Sequence, residues 1–215
     1  MNRLMSLKLV MAMVALFILP STSMAEDAPA KPRVKLTTSL GDMVIELDAE
    51  KAPVTVKNFL AYVNDGYYDG TIFHRVIPNF MIQGGGFTKD VDKKTDGLKP
   101  PIKLESDNGL KNVKYSIAMA RTGNPDSATS QFFINVVDNA RLNYTAGNPG
   151  YAAFGMVVEG QDIVEKIRTT ECIRHEKYPS PGAVTPKVAV VIKKASVVGP
   201  EEDKPKKEES KEEGK

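Results

Sequence analysis

The 215-residue chain has no tryptophan, one cysteine and two histidines, and each scarcity removes a class of function. A single Cys172 forms no internal disulfide and supplies no multi-cysteine zinc or iron–sulfur site. With only His74 and His175 as imidazoles, a histidine-rich metal site is excluded as well. Charge of one sign is also in short supply. The 29 Lys+Arg stand against 27 Asp+Glu, a formal net charge of +2, so no strong field draws the chain to nucleic acid or acidic lipid. No Gly-x-Ser-x-Gly, His-Glu-x-x-His or EF-hand loop occurs. The longest apolar run, residues 9–20, falls short of the ~20 residues a membrane span needs. What remains is ordinary globular composition, 41% hydrophobic and 26% charged with 16 Gly and 14 Pro. That suits one sizeable domain with tails.

The ends read differently from the middle. Arg3 and Lys8 precede the apolar run, and a short polar stretch ending Ser23-Met24-Ala25 follows it. This is the pattern of a secretory signal peptide, residues 1–25, cleaved after Ala25. No cysteine near that point offers a lipid anchor. Cleavage removes Arg3 and Lys8 and no acid, leaving 27 basic against 27 acidic residues. The expectation is an exported protein, periplasmic or secreted where the host lacks an outer membrane, and free of membrane once processed. An unpartnered Cys172 suits such an oxidising compartment. Residues 26–32 read as a flexible lead and 33–198 as the folded domain. Residues 199–215, GPEEDKPKKEESKEEGK, carry no apolar side chain except proline, which predicts a disordered charged tail. The tail ends Glu-Gly-Lys, so it lacks a retention signal of the KDEL kind.

Within the domain, period-2 alternation marks strands at residues 34–38 and 43–47, joined in a hairpin through Leu40-Gly41-Asp42. Pro53 opens a helix to Asp65 with Val56, Phe59, Leu60 and Val63 on one stripe and Gly66 after its end. Strand signals recur at 71–77, 80–83, 115–120, 131–137 and 154–158. A second helix, residues 161–168, turns Ile163, Val164 and Ile167 inward, and 188–198 is a last β-rich run. Many short strands with two helices predict a closed or nearly closed barrel capped by helices.

Some side chains fit that alternation badly. Phe132, Ile134 and Val136 form an inward face, which leaves Phe133 between Gln131 and Asn135 on the polar outer face. It is a surface residue or the floor of a groove. In residues 71–77, Ile72, His74 and Val76 face one way and Phe73, Arg75 and Ile77 the other. His74 reads as a hydrogen-bonded core histidine, and Arg75 as a surface charge or a donor aimed into a groove. Met81 and Gln83 share one side of their strand. Gly84-Gly85-Gly86 lacks the spacing of a phosphate loop and reads as a bend, and Cys172-Ile173-Arg174-His175 has no second pair to complete a metal site. The inventory is an apolar pocket with Arg and Gln donors and no obvious nucleophile or metal, suited to a reaction that breaks no covalent bond.

These same residues carry a resemblance. The run from Phe73 to Gly85, FHRVIPNFMIQGG, resembles the signature of the cyclophilins, the cyclosporin-binding peptidyl-prolyl isomerases. Ser130-Gln131-Phe132-Phe133-Ile134 matches a second signature, and Phe154-Gly155 with the following helix a third. The likeness runs from about Val34 to Val198, and the secretory signal with Met119-Ala120-Arg121-Thr122 is similar to the periplasmic bacterial branch. The resemblance implies a closed eight-stranded antiparallel β-barrel capped by two α-helices, its interior filled, with the active groove on the outside. It implies Arg75 as the catalytic residue. Phe80, Met81, Phe133 and Leu142 would hold the substrate proline, Gln83 and the Ala120-Arg121 segment the peptide backbone, and Gln131 would line the groove. Arg141 stands where the best-known members carry tryptophan, Tyr151 where they carry a pocket histidine, and Arg121 where asparagine is commoner.

The implied function is isomerisation of X-Pro bonds in unfolded or newly exported polypeptides by a monomer, without cofactor or metal. In the family the tryptophan at the Arg141 position packs on cyclosporin and donates its indole N–H, so this chain should bind cyclosporin weakly. A binding module that uses the groove without turnover is a second reading, but binding alone would not need Arg75. A barrel carrying a small ligand inside is a third, and the apolar inward faces oppose it.

Overall fold

Alternation decides the first hairpin. Strand β1 (Arg33–Thr38) buries Val34, Leu36 and Thr38 and leaves the residues between them half-exposed. It pairs with β2 (Gly41–Leu47) in the register Thr38↔Gly41. The turn therefore falls at Ser39-Leu40, ahead of the expected Leu40-Gly41-Asp42. Thr38 Oγ1 donates to the Gly41 carbonyl at 2.6 Å and accepts the Leu40 N–H at 3.1 Å, closing it early. A Cβ on Gly41, whose φ is +132°, would stand 2.3 Å from Ile163 Cδ1. Glycine here lets that side chain close on the hairpin.

Helix α1 (Pro53–Asn64) starts on its proline as predicted. Ala52 before it offers no side-chain cap. The Glu105 carboxylate does so from far along the chain, accepting Val54 N–H at 3.1 Å, Thr55 N–H at 2.8 Å and Thr55 Oγ1–H at 2.7 Å, where it also meets the positive helix end. Val56, Phe59, Tyr62 and Val63 are buried, while the expected Leu60 packs only at the rim. The Phe59 ring lies 5.2 Å from Tyr68, 5.6 Å from Phe132 and 5.2 Å from Phe154, centroid to centroid. Aromatic carbon thus fills the interior that a ligand-carrying barrel would leave open.

The computed structural model describes residues 31–199. The expected signal peptide (1–25), most of the lead (26–32) and all but Gly199 of the tail (199–215) lie outside the described residues. After α1 come β3 (Thr71–Ile77), β4 (Met81–Thr88), β5 (Ser116–Met119), β6 (Phe132–Asn135), β7 (Ala153–Glu159), α2 (Gln161–Arg168), β8 (Cys172–Ile173), β9 (Thr185–Pro186) and β10 (Ile192–Val198). Eight strands form one antiparallel sheet in the order β10-β1-β2-β7-β5-β6-β4-β3, and β8 pairs with β9 apart from it. No helix among the described residues is long and apolar enough to cross a membrane.

The fold is mostly β with two helices, but the sheet is an open half-barrel curling through 248° rather than the closed barrel expected. Its edge strands β3 and β10 meet at an isolated bridge, Ile72↔Val191, with Gly70 N–H and Phe73 N–H donating to Ile192 and Val190 carbonyls. Beyond Phe73 the outer edge of β3 turns to a different partner, Val76 N–H bonding the Val184 carbonyl at 2.7 Å. No continuous ladder closes the circle.

A bulge corrects the reading of β3. Phe73 pairs with Gly84 but Arg75 with Gln83, so an extra residue, His74, is inserted in β3. Phe73 and Val76 consequently both enter the main core, where strict alternation had opposed them. The partner strand bulges as well, because Thr71 faces Thr88 four residues from Gly84. Gly85, at φ +78°, has Tyr68 Cε1 only 2.8 Å from where a Cβ would be, so the expected glycine bend is a bulge inside β4.

Candidate active site

A second apolar cluster lies on the outer face of the sheet, apart from the core. Met81, Ala118, Phe133 and Ala153 are buried in it, with Phe80, Leu142, Tyr151, Ile77, Leu110 and Ala120 partly buried around them. Register brings them together: Phe133 faces Gln83 on one side and Ala118 on the other, and Ala118 faces Ala153. The two alanines keep the floor low while Phe80, Leu142 and Tyr151 rise as walls. Phe133 is therefore a groove floor, not a surface residue, and its ring meets Tyr151 edge-on at 5.6 Å.

Arg75 stands at the rim of this hollow. Its Nη1 donates to Gln83 Oε1 at 3.3 Å and lies 3.9 Å from Met81 Sδ. Gln83 Nε2 in turn donates to Gln131 Oε1 at 2.9 Å. Gly86 makes room for Gln131, since a Cβ there would sit 2.4 Å from Gln131 Cγ. Among the described residues no carboxylate pairs with Arg75, so the guanidinium keeps its charge unneutralised beside apolar surface. Arg75, Met81, Gln83, Gln131 and Phe133 are brought together here.

Two arginines hold the walls. Arg121 lies 4.6 Å from the Tyr151 ring centroid and donates to the Gly150 carbonyl through Nε at 3.0 Å and Nη2 at 2.7 Å. Its side chain therefore braces a wall, and the Ala120 N–H is taken up by the Gln131 carbonyl. Arg141 covers the Phe80 ring at 4.6 Å, a cation–π contact that reading Arg141 as a mere departure does not foresee.

Beneath the walls runs an amide network that alternation also misses. Asn135, placed on the polar outer face by the sequence, is fully buried. Asn139 Nδ2 donates to the Phe80 carbonyl at 2.8 Å and to Asn135 Oδ1 at 2.7 Å. Asn135 Nδ2 donates to Ser116 Oγ at 2.9 Å and Asn112 Oδ1 at 3.2 Å. Asn112 Nδ2 reaches the carbonyls of Leu142 and Tyr151, both at 3.2 Å. Three separate wall segments are thus tied to one buried set of hydrogen bonds, the arrangement that fixes a geometry rather than merely filling space. Three asparagines at 112, 135 and 139, next to pocket residues, are the signal that could have found it.

His74 lies behind Arg75, fully buried between Phe87 at 4.3 Å and Tyr178 at 5.1 Å, centroid to centroid. The expected core histidine is present; neither ring nitrogen makes a well-aligned hydrogen bond, and the Ile72 backbone offsets only part of the cost of burial. Burial pushes its pKa down to about 3, which keeps the ring neutral. Beyond Gln83 and Gln131 a hollow of about 290 Å³ opens, bordered by Lys93, Lys94 and Arg121 without a carboxylate. Among the described residues no group of three metal-ligating side chains occurs.

The family model described as Cyclophilin type peptidyl-prolyl cis-trans isomerase/CLD matches residues 33–197. The chain is 47% identical over 194 residues to Peptidyl-prolyl cis-trans isomerase A of Dickeya dadantii, covering 90% of this chain and 99% of that one. It is 48% identical over 163 residues to Peptidyl-prolyl cis-trans isomerase B of Escherichia coli, covering 73% and 98%. Among solved structures it is similar to a Cryptosporidium parvum cyclophilin type peptidyl-prolyl cis-trans isomerase in the presence of the dipeptide Ala-Pro, with TM-score 0.62 and 27% identity. That likeness covers 78% of this chain and 99% of the other.

Proposed function

The chain belongs to the cyclophilin-type peptidyl-prolyl cis-trans isomerases, and from that premise we propose that it turns X-Pro bonds of exported polypeptides by stabilising their twisted state from Arg75. Rotation about a peptide bond is opposed by ~18–20 kcal/mol because nitrogen shares its lone pair with the carbonyl. The two X-Pro isomers differ by only about 0.5–1 kcal/mol, yet uncatalysed exchange takes about 10–100 s. A catalyst must favour the state in which the lone pair is localised on nitrogen. The Met81–Phe133 floor, with Phe80, Leu142 and Tyr151 around it, clamps the proline ring while the preceding carbonyl swings. Gln83, Gln131 and the Ala120-Arg121 segment border the path of the peptide. Arg75 then donates to the prolyl nitrogen only once that nitrogen can accept, so it binds the transition state better than either ground state.

The observation that carries this reading is the setting of Arg75. Its guanidinium is steered by the neutral Gln83 amide at 3.3 Å, with no carboxylate among the described residues to compete for its protons. Arginine rather than lysine suits the task, being always charged and donating in a fixed plane. Export rests on the pattern of residues 1–25, and fractionation of a tagged full-length chain tests it. Periplasmic recovery of a chain beginning at Glu26 is expected, and an unprocessed cytosolic chain overturns it. The isomerase reading itself is tested by a protease-coupled proline-isomerisation assay on the wild type and Arg75→Ala.

A further inference from the structure

Arg75 borders two hollows. On its near side lies the proline floor. On its far side the chain between β8 and β9 runs back beside β3 and bounds an open hollow of about 470 Å³. Ile77 and Pro78 form one bank, and Tyr178, Pro179, Pro181 and Val184 the other; apart from Arg75 itself the lining carries no charged side chain. The far bank is built to stay in place. The Val184 carbonyl accepts Val76 N–H at 2.7 Å, and Arg174 Nη2 donates to the Pro181 carbonyl at 3.1 Å. Tyr178 packs edge-on against His74 at 5.1 Å and Phe87 at 5.2 Å. His74, kept neutral by burial, stacks there as one more ring beside Phe87 and Tyr178. Two prolines with fixed φ stiffen the bank further, so little conformational freedom is left to lose on binding.

We propose that this hollow is a substrate subsite, which takes the apolar side chain, aliphatic or aromatic, of a residue next to the isomerising proline. The inference rests on the reading of Arg75 as the donor to the prolyl nitrogen. A polypeptide whose nitrogen faces Arg75 continues past it, and successive residues advance by about 3.3–3.6 Å, so its neighbour arrives over the far hollow that Arg75 also borders. The hollow on the other flank, beyond Gln83, is bordered by Lys93, Lys94 and Arg121. The two sides of one substrate therefore meet opposite environments, cationic and apolar. A polar side chain in the apolar one loses water without gaining a partner.

Two peptide series test this in the protease-coupled assay, one varying the residue before proline and one the residue after it, each through Gly, Ser, Leu and Phe. One series is expected to show kcat/KM rising about tenfold from Ser to Leu or Phe, the lower end of what an apolar pocket discriminates. Val184→Asp should bring that ratio down to about twofold or less, and Val184→Thr, nearly isosteric and safe for folding, should lower it in the same direction. Equal rates across both series, or a ratio unchanged in both variants, overturns the subsite. If Arg75→Ala remains fully active on every peptide, the underlying reading of Arg75 fails instead. Loss of activity in that variant together with flat series would fault the subsite alone.

Discussion

Replacing Asn139 with alanine tests whether the buried amide network shapes the proposed proline pocket. Asn139 is 6% exposed, and its Nδ2 is the donor to both Phe80 O and Asn135 Oδ1. The Phe80 carbonyl keeps a second donor, Val136 N–H at 3.2 Å, so the loss there is one ordinary hydrogen bond, about 1 kcal/mol. Asn135 Oδ1 is left bare in a fully buried site, at about 1–3 kcal/mol. The sum, about 2–4 kcal/mol, corresponds to a fall of about 5–15 °C in melting temperature for a chain of this size. The backbone bonds of Asn139, to Asn112 and from Leu142, are untouched, so the secondary structure should persist. Because Phe80 is a pocket wall, KM for a proline peptide should rise more than kcat falls. Asn139→Asp keeps the volume but points an acceptor at two acceptors, and should cost at least as much. Calorimetry with the protease-coupled assay decides it. Unchanged melting temperature and KM in Asn139→Ala, or full rescue by Asn139→Asp, would refute the reasoning.

Cyclosporin should inhibit the wild type weakly, because Arg141 already covers Phe80 and its charged head resists burial under an apolar macrocycle. Arg141→Trp should tighten inhibition by about one to three orders of magnitude, and titration showing tight wild-type inhibition or no gain in the variant contradicts this. His74 has a folded pKa of about 3 against an ordinary 6.5, so below pH 6.5 the unfolded chain takes up a proton that the folded one refuses. Stability should therefore fall as pH falls, by about 1.4 kcal/mol per unit between about 6.5 and 3. Urea midpoints from pH 7 to 5 should show the slope in the wild type and lose it in His74→Phe, and equal slopes would rule the histidine out. A fragment of residues 31–198 should fold and turn over like the chain starting at Glu26, since the core lies within it; a large loss on removing 199–215 alone would give the tail a role.

What was legible in the sequence was whatever a single strand or helix expresses on its own. The β1–β2 hairpin follows from Val34 and Leu36 alternating opposite Ile45 and Met43, and α1 from Pro53 and its apolar stripe. The groove floor showed as one aromatic, Phe133, out of place between Gln131 and Asn135. Features needing two distant segments were hidden. Glu105 caps a helix fifty residues before it, and the bulge at His74 is visible only against Gly84 on the neighbouring strand. It is the bulge that sends Phe73 and Val76 to the same core. Asn135 looks like a surface amide until Asn112 and Asn139 come to it from other loops. The bank from Tyr178 to Val184 has little periodicity, so nothing local announced that it would lie against β3 beside Arg75.

The central claim is that Arg75 stabilises the twisted peptide bond, and kcat/KM of Arg75→Ala and Arg75→Lys in the protease-coupled assay tests it most directly. Arg75 bonds little besides Gln83 and Met81, so circular dichroism and melting temperature should scarcely move. Arg75→Ala should lose about 10²–10³-fold, the scale of one preorganised donor to a transition state, and Arg75→Lys should recover little of it. A folded Arg75→Ala protein that isomerises proline peptides at close to the wild-type rate would contradict the account.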